Sequence, residues 1–583
     1  MIHTKDHTTG YLIDPWRHLG PKRRNLMEQS WAGLFREHIL CELPVHKLAS
    51  LFTEGFGRPT KELYTVLGVL IIQQMMDLTD EETVTHLAFN EQWHYALDIP
   101  DETDESKYMS PRTLWSMRRI VTDNELDTLL FEHTSDTLGR VFNVDTSKQR
   151  IDSVHIRSNM RRLGRIRIFA ETIHTFLTNL KRRHRVAFES VAQDVRDRYL
   201  SKEQRACFSM VKPSASAKTL TEVSTDLFEL IQAFTDTPEI TAMHSYKLMT
   251  RVLKEQCTVT EASDTTPAVV SPKPPREIPS DSLQNPSDPD AAYDGHKGQG
   301  YQVQVMETYC DDADKDVRDR TLNLITHVAV EPACASDANA LIPALQATTD
   351  RHCAPTEVVA DSLYGSDENV RDAHAMGTEV IAPAMGAPKE RAVMLSDFTF
   401  AQNGTVLACP RGYAPAMTKH KKNRHTAGFD VAQCSACPLV QECPVKAGRK
   451  YYYLYYDDRA QRIARRRAAE QTPDFRDRYR YRAGSEATMS EYDRRTGVKQ
   501  LRVRGLANVR FCATLKAIGV NIFRAAAVRT AIQMATSPLG GAILHLCHQF
   551  YVLIERYYIW NRHVTDLFTS HCHVSLWGGK AVA

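Results

Sequence analysis

Residues 357–365, EVVADSLYG, limit the architecture of this chain more than any other stretch. A short unbroken Val-Val-Ala run closed by a turn-forming glycine suits a strand buried on both faces, and such strands belong to sheets with helices on each side. Asp361 falls where that strand ends. In open α/β sheets the chemically active groups gather outside the carboxyl ends of strands.

The neighbouring text supplies the rest of a sheet. GYQVQVMETY (300–309) alternates apolar and polar residues as a half-exposed strand does, and LNLITHVAVE (322–331) can pair with it. DANALIPALQATTD then suits a helix capped near Asp337. Upstream, RIDSVHIRSNM (150–160) is rich in β-branched residues and reads as a first strand carrying Asp152. The order strand, strand, strand, helix, strand gives an α/β fold with a mixed sheet, interrupted after its first strand by residues 161–260. That charged, helical text is too long for a loop and reads as an insertion. Residues 261–290 turn to Pro, Ser, Thr and Asp, with PKPP at 272–275, and read as a linker.

Residues 1–145 read as an all-α N-terminal domain. KELYTVLGVLIIQQMMDL (61–78) follows Thr60 as a cap, Asp80 can cap DEETVTHLAF, and Ser110 before Pro111 opens a third helix. Such a domain serves either to place a helix in a DNA groove or as a dimerisation and packing module. Beyond the sheet, residues 291–390 and 451–535 make up the core, 391–450 a cysteine-rich insertion, and 536–583 a C-terminal helical segment. Within the last, AILHLCHQFYVLIERYYIW (542–560) contains His, Gln, Glu and Arg and reads as a packed amphipathic helix. The first residues, MIHTKDHTTGYLIDPW, lack an apolar signal core, so the expectation is a cytoplasmic protein with no membrane partner. A length of 583 residues with 42% hydrophobic residues favours three or four domains, and a net charge of +2 leaves any affinity for nucleic acid to local patches.

Residues 478–497, RYRYRAGSEATMSEYDRRTG, lie between Pro473 and a stop-type Gly497 and read as one helix. At 100° per residue Tyr479, Arg482 and Glu486 fall within about 60° of one another, a phenol, a guanidinium and a carboxylate on one face. Glu491 lies off that face. Asp152, Asp361 and Glu486 together would suit two divalent ions, Mg²⁺ or Mn²⁺, because hard cations take carboxylates plus water and substrate oxygens. Cys409, Cys434, Cys437 and Cys443, in ACPRG and QCSACPLVQECP, are either ligands of a structural Zn²⁺, with His420 or His425 able to replace one, or isolated thiols. Basic blocks at 161–167, 181–185, 459–467 and 502–510 are either solvated faces or phosphate contacts. The run Tyr451, Tyr452, Tyr453, Tyr455 and Tyr456 either packs in a strand or stacks on exposed bases.

The pattern Tyr-x-x-Arg-x-x-x-Glu at 479, 482 and 486, with VVADSLYG, RIDSVHIRSN, HKGQGYQVQV, VKQLRVRGLANVR and LAFNEQWHYALDI, resembles the DDE transposases of bacterial insertion sequences over roughly residues 30–530. The resemblance implies an RNase H-like sheet and metal-dependent DNA cleavage and strand transfer in the bacterial cytosol or nucleoid. It implies binding to double-stranded DNA, both terminal repeats and target, as at least a dimer. Asp152, Asp361 and Glu486 match the three catalytic acids, and Tyr479 and Arg482 the signature beside the third. The pattern expects a lysine seven places after the glutamate, where this chain has Asp493; Arg494 or Lys499 is the substitute. Arg161, Arg162, Arg165, Lys499, Arg502 and Arg504 are the expected DNA contacts. The alternatives are an RNase H-like nuclease without strand transfer and a catalytically silent DNA-binding derivative.

Overall fold

The computed structural model describes residues 2–53, 59–260, 268–386 and 393–536. The N-terminal helices form where side chains can satisfy their open amide ends. α1 (Leu63–Met75) is capped by Glu62, whose carboxylate accepts from the amides of Tyr64 and Thr65. α2 (Asp80–Phe89) is capped by Thr79, which forms a reciprocal capping box with Glu82. The expected caps Thr60 and Asp80 have other partners: Thr60 accepts from the amide of His3, and Asp80 pairs with Arg118. α3 (Pro111–Asp123) starts at Ser110 as expected, and α4 (Leu126–Val141) follows. α1 is buried along nearly its whole length, so it is a core element and presents no face to a groove.

β1 (Lys148–Arg157) carries Asp152. The insertion that follows, with α5 (Arg165–Arg183), α6 (Ser216–Phe234) and α7 (His244–Gln256), has its own core around Phe169, Phe176, Leu227 and Met249. The described part of the Pro-rich segment is structured. Residues 269–272 pair with 257–260, Leu283 is buried, and Asp288 accepts from Ser158 Oγ at 2.6 Å, Tyr301 Oη at 2.5 Å and the Gly505 amide at 3.0 Å. Its polar composition thus serves to bind distant backbone and hydroxyl donors.

The sheet is completed by β2 (Gly298–Thr308), β3 (Ile325–Pro332), β4 (Glu357–Val359) and β5 (Glu379–Ile381), with α8 (Leu341–Asp350) and α9 (Asp367–Ala375) between the later strands. Its spatial order is β3-β2-β1-β4-β5, the first three antiparallel and the last two parallel to β1, and a sixth short strand, Ala292–Asp294, pairs with the first residues of β2. β2 is buried on both faces, not half-exposed. Gln302 donates to the Ala335 carbonyl at 2.9 Å and Gln304 to Asp337 at 2.7 Å, so its polar residues are satisfied inside the protein.

Residues 393–457 form a smaller sheet whose β6 (Met417–Lys421), β7 (Arg424–Phe429) and β8 (Tyr452–Asp457) lie side by side. The tyrosine run is largely β8, and Tyr456 is buried with its hydroxyl donating to the Gly404 carbonyl at 3.0 Å. α10 (Asp458–Ala469), α11 (Pro473–Tyr479), a 3₁₀ turn at Arg480–Arg482, α12 (Ala483–Thr496) and α13 (Leu506–Thr536) complete the described chain.

α13 is long and apolar enough to cross a membrane, yet most of it is buried within the fold. It packs on α1, α4, α12 and β3, and Asn521 exchanges hydrogen bonds with the backbone of Ile325 at 2.8 and 2.9 Å. One continuous core therefore joins the N-terminal helices to the sheet face carrying Val154, Ile156, Val303 and Val305. The other face, with Ile151 and Met306, is covered by α8 and α9. The helix expected at 542–560 lies outside the described residues.

Candidate active site

β1 and β4 run parallel with Gln149 opposite Val358 and Arg150 opposite Val359. Carried two residues further, the same register sets Asp152 beside Asp361. Asp361 stands just past the end of β4, as expected, whereas Asp152 is in the middle of the longer β1. Asp152 therefore has no strand partner on that side, because the neighbouring strand ends at Val359.

The single helix expected over 478–497 is instead α11, a tight turn and α12, all with right-handed helical torsions until Gly497 at φ +64°. Arg150 donates from Nη1 to the Tyr481 carbonyl at 3.0 Å, capturing an acceptor that a continuous α-helix would use internally. A 3₁₀ turn brings residues three apart into line, so Tyr479 and Arg482 share one side. Arg482 then connects the elements: Nη2 lies 3.3 Å from Asp152 Oδ2 and Nη1 lies 3.0 Å from Glu486 Oε1. Glu486 is 71% exposed and Asp152 13%, so Arg482 joins a surface acid to a largely buried one. The Arg482 Nε–H is buried without an acceptor.

Electrostatics mark the same place. Burial raises the Asp152 pKa, and the charges of Asp361 and Asp337 add to the rise against the Ser153 amide and Arg482. Asp337, which the sequence suggests only as a helix cap, accepts from Gln304 of β2 at 2.7 Å and acts on Asp152 through its charge. Lys297 Nζ stands 3.7 Å from Asp337 and 3.3 Å from Ser153 Oγ. Burial raises the Tyr479 pKa, with Asp361 and Asp152 contributing, and the ring stacks on Phe475 at 5.4 Å. Several carboxylates around one guanidinium fit an oxygen-ligated divalent cation in donor chemistry. Arg482 stands between Asp152 and Glu486, so the acids face one another without closing on a common centre.

A buried network holds α12 against the sheet. Glu307 of β2 pairs with Arg150 at 2.7 Å and Arg524 at 2.7 Å and accepts from Thr488 Oγ1 at 2.6 Å. Arg524 also binds Glu491 at 2.8 Å, and Arg495 binds it at 2.9 Å, so Glu491 belongs to this scaffold. Nothing in the spacing of Arg150, Glu307 and Arg524 announces the cluster, although a charged residue in a strand buried on both faces needs a partner.

The expected cations are placed as follows. Arg494 is exposed in the last turn of α12, and Lys499 pairs with Asp493 at 3.5 Å. Arg161 and Arg162 are exposed, the latter 3.6 Å over the Tyr293 ring. Arg165 is half-buried and donates to Gln256 at 2.8 and 2.7 Å, and Arg502 is bound to Asp77 at 3.0 Å. Arg504 lies 3.5 Å from the Ser287 carbonyl and 3.4 Å from Met160 Sδ. The Arg157 amide donates to the Lys499 carbonyl at 3.0 Å, so the segments around 160 and 500 meet. In the 459–467 block, Arg462 grips Asp367 and Arg466 donates to the carbonyls of Gly365 and Ala382, which clamps α10 to the loops after β4 and β5.

Cys409, Cys434, Cys437 and Cys443 line one cavity of about 30 Å³, roofed by Val393, Phe429 and Leu439, and all four are free thiols. Burial pushes Cys434 up to about 11, with the other three cysteines adding to the rise. Their gathering fits a soft cation in donor type, while the sulfurs stand wider apart than ligands closed on an ion. His420 and His425 lie toward the other end of the β6–β7 hairpin, away from this cavity.

Residues 408–526 match the family model of a transposase DDE domain. The matched span contains Tyr479, Arg482, Glu486, the four cysteines and most of α13, and it supports a DDE transposase. Asp152 and Asp361 lie outside it and rest on their own geometry. No curated protein and no solved structure matches the chain.

Proposed function

We propose that this chain is the DNA transposase of a bacterial insertion sequence, built on an RNase H-like sheet, which cleaves the ends of its element and joins the freed 3′ hydroxyl to target DNA. The observation that carries the reading is Arg482 held between Asp152 and Glu486 at 3.3 and 3.0 Å, with Asp361 just past the end of the adjoining strand. The sheet order β3-β2-β1-β4-β5 and the match over residues 408–526 support it.

In this reading Asp152, Asp361 and Glu486 hold Mg²⁺ or Mn²⁺. Two such ions activate the attacking oxygen and stabilise the leaving oxygen of a phosphodiester. Arg482 holds two like-charged acids at once through charge-assisted contacts. The exposed Arg161 and Arg162, with Arg504 beside them, make phosphate contacts that position double-stranded DNA without reading its sequence. Joining two ends implies at least a dimer on DNA, in the cytosol. The four cysteines hold a structural Zn²⁺ that shapes the smaller sheet.

Asp361→Asn is expected to leave binding to terminal-repeat DNA intact and to abolish Mg²⁺-dependent nicking. Cleavage at the wild-type rate removes the assignment. Recovery of strand-transfer products from the wild-type reaction separates a transposase from a plain nuclease.

A further inference from the structure

We propose that His420, His425 and Asp458 form a binding site for a transition-metal ion of the Zn²⁺ class, separate from both the acidic cleft and the cysteine cavity. The antiparallel register sets His420 of β6 directly opposite His425 of β7. Their rings stack with centroids 4.1 Å apart. Asp458, at the start of α10, places Oδ1 2.6 Å from His425 Nε2 and 3.9 Å from His420 Nε2. All three donor atoms lie within 4.8 Å of one another, the one such group of His, Cys, Asp or Glu among the described residues.

Tetrahedral ligation at about 2.0–2.2 Å needs donors roughly 3.3 Å apart. The two observed separations bracket that value, and His420 is free to close because its side chain is 54% exposed, while His425 is fixed at 5%. Two imidazole nitrogens and one carboxylate oxygen are borderline donors that suit Zn²⁺ and its neighbours better than Mg²⁺. Lys419 and Lys421 flank His420, and strand alternation directs them to the opposite face. His425 also stacks on Tyr456 at 4.9 Å, which fixes its ring. Gln461, one turn along α10 and buried, has an Nε2 donor with no acceptor.

The site has a structural consequence. α10 begins at Asp458 and is clamped through Arg462 and Arg466 to the loops after β4 and β5. An ion on the two histidines and Asp458 therefore ties the β6–β7 hairpin to the helix that braces the turn following Asp361.

The test is titration of the chelator-stripped full chain with Co²⁺ in excess Mg²⁺, comparing wild type with His420→Ala and His425→Ala. The wild type is expected to bind one more Co²⁺ per chain than either variant, and the extra ion to add visible absorption without thiolate charge transfer. His420 is exposed, so its variant keeps the wild-type circular dichroism. Equal Co²⁺ stoichiometry in wild type and His420→Ala overturns the proposal, whatever the cysteines or the acidic cleft bind.

Discussion

Arg482 is the residue on which the proposed chemistry turns, because one guanidinium meets two acids from segments hundreds of positions apart. Arg482→Ala is expected to lower the cleavage rate about 10²–10³-fold, the range for removing one aimed donor from a charged site. Lys keeps the charge but loses the two-headed grip, so Arg482→Lys should recover only part of that loss. A nicking assay on wild type and both variants decides it; full activity in the alanine variant would make the contact incidental. The lysine expected at 493 is missing, and the cation nearest Asp337 is Lys297, 3.7 Å away. Lys297→Ala should therefore reduce cleavage by roughly tenfold if it contributes one charge-assisted contact, while Lys499→Ala, whose partner is Asp493, should leave it unchanged. Glu486 was legible as a candidate because a short signature surrounds it, and Asp152 and Asp361 as residues carried by strand-like text. Asp337 was not, because an aspartate before a helix has an ordinary explanation as a cap.

Element by element, strands were easier to read than their surroundings. β1 to β4 follow from β-branched, alternating or unbroken apolar text, yet alternation in β2 reports polarity and not exposure. Gln302, Gln304 and Glu307 point into the protein and are satisfied by partners that no local pattern specifies. The break between α11 and α12 was equally hidden, since its cause is Arg150, far upstream. Gly484 matters for the same reason: a Cβ there would lie 1.8 Å from Arg150 Nη1. Gly484→Ala should destabilise by about 1–3 kcal/mol through overpacking and should slow cleavage by shifting α12 and Glu486. Glu307→Ala should cost more, about 3–5 kcal/mol, because it strands two buried guanidinium groups. Urea unfolding of the two variants tests the ranking, and a neutral Glu307→Ala would show that the network is dispensable.

At the scale of the whole molecule the N-terminal helices are part of the same body as the sheet, because α13 runs between them and its apolar surface is shared. The first residues lock onto that body through His7, whose Nδ1 is 3.3 Å from Asp98 and whose Nε2 is 3.8 Å from Glu62. Burial opposes the His7 charge, but its hydrogen bond to Asp98 and the nearby carboxylate of Glu62 prevail and raise its pKa. Burial likewise opposes ionisation of Glu62 and Asp98, yet the His7 contact and, for Glu62, three backbone amides bring each down to about 2. The carboxylates therefore contribute stability above their ordinary values near ~4, and that contribution is lost as pH falls toward their depressed ones. His7 contributes fully below its ordinary value near ~6.5, and its share is lost as pH rises through the raised one. Both are fully present between those two ordinary values. His7→Ala should accordingly lower the melting temperature most at about pH 5–6, with the gap to wild type narrowing as pH rises through the raised His7 value and wild-type His7 loses its proton. Melting curves across that range are the measurement, and a gap that stays constant would mean that His7 acts through packing alone.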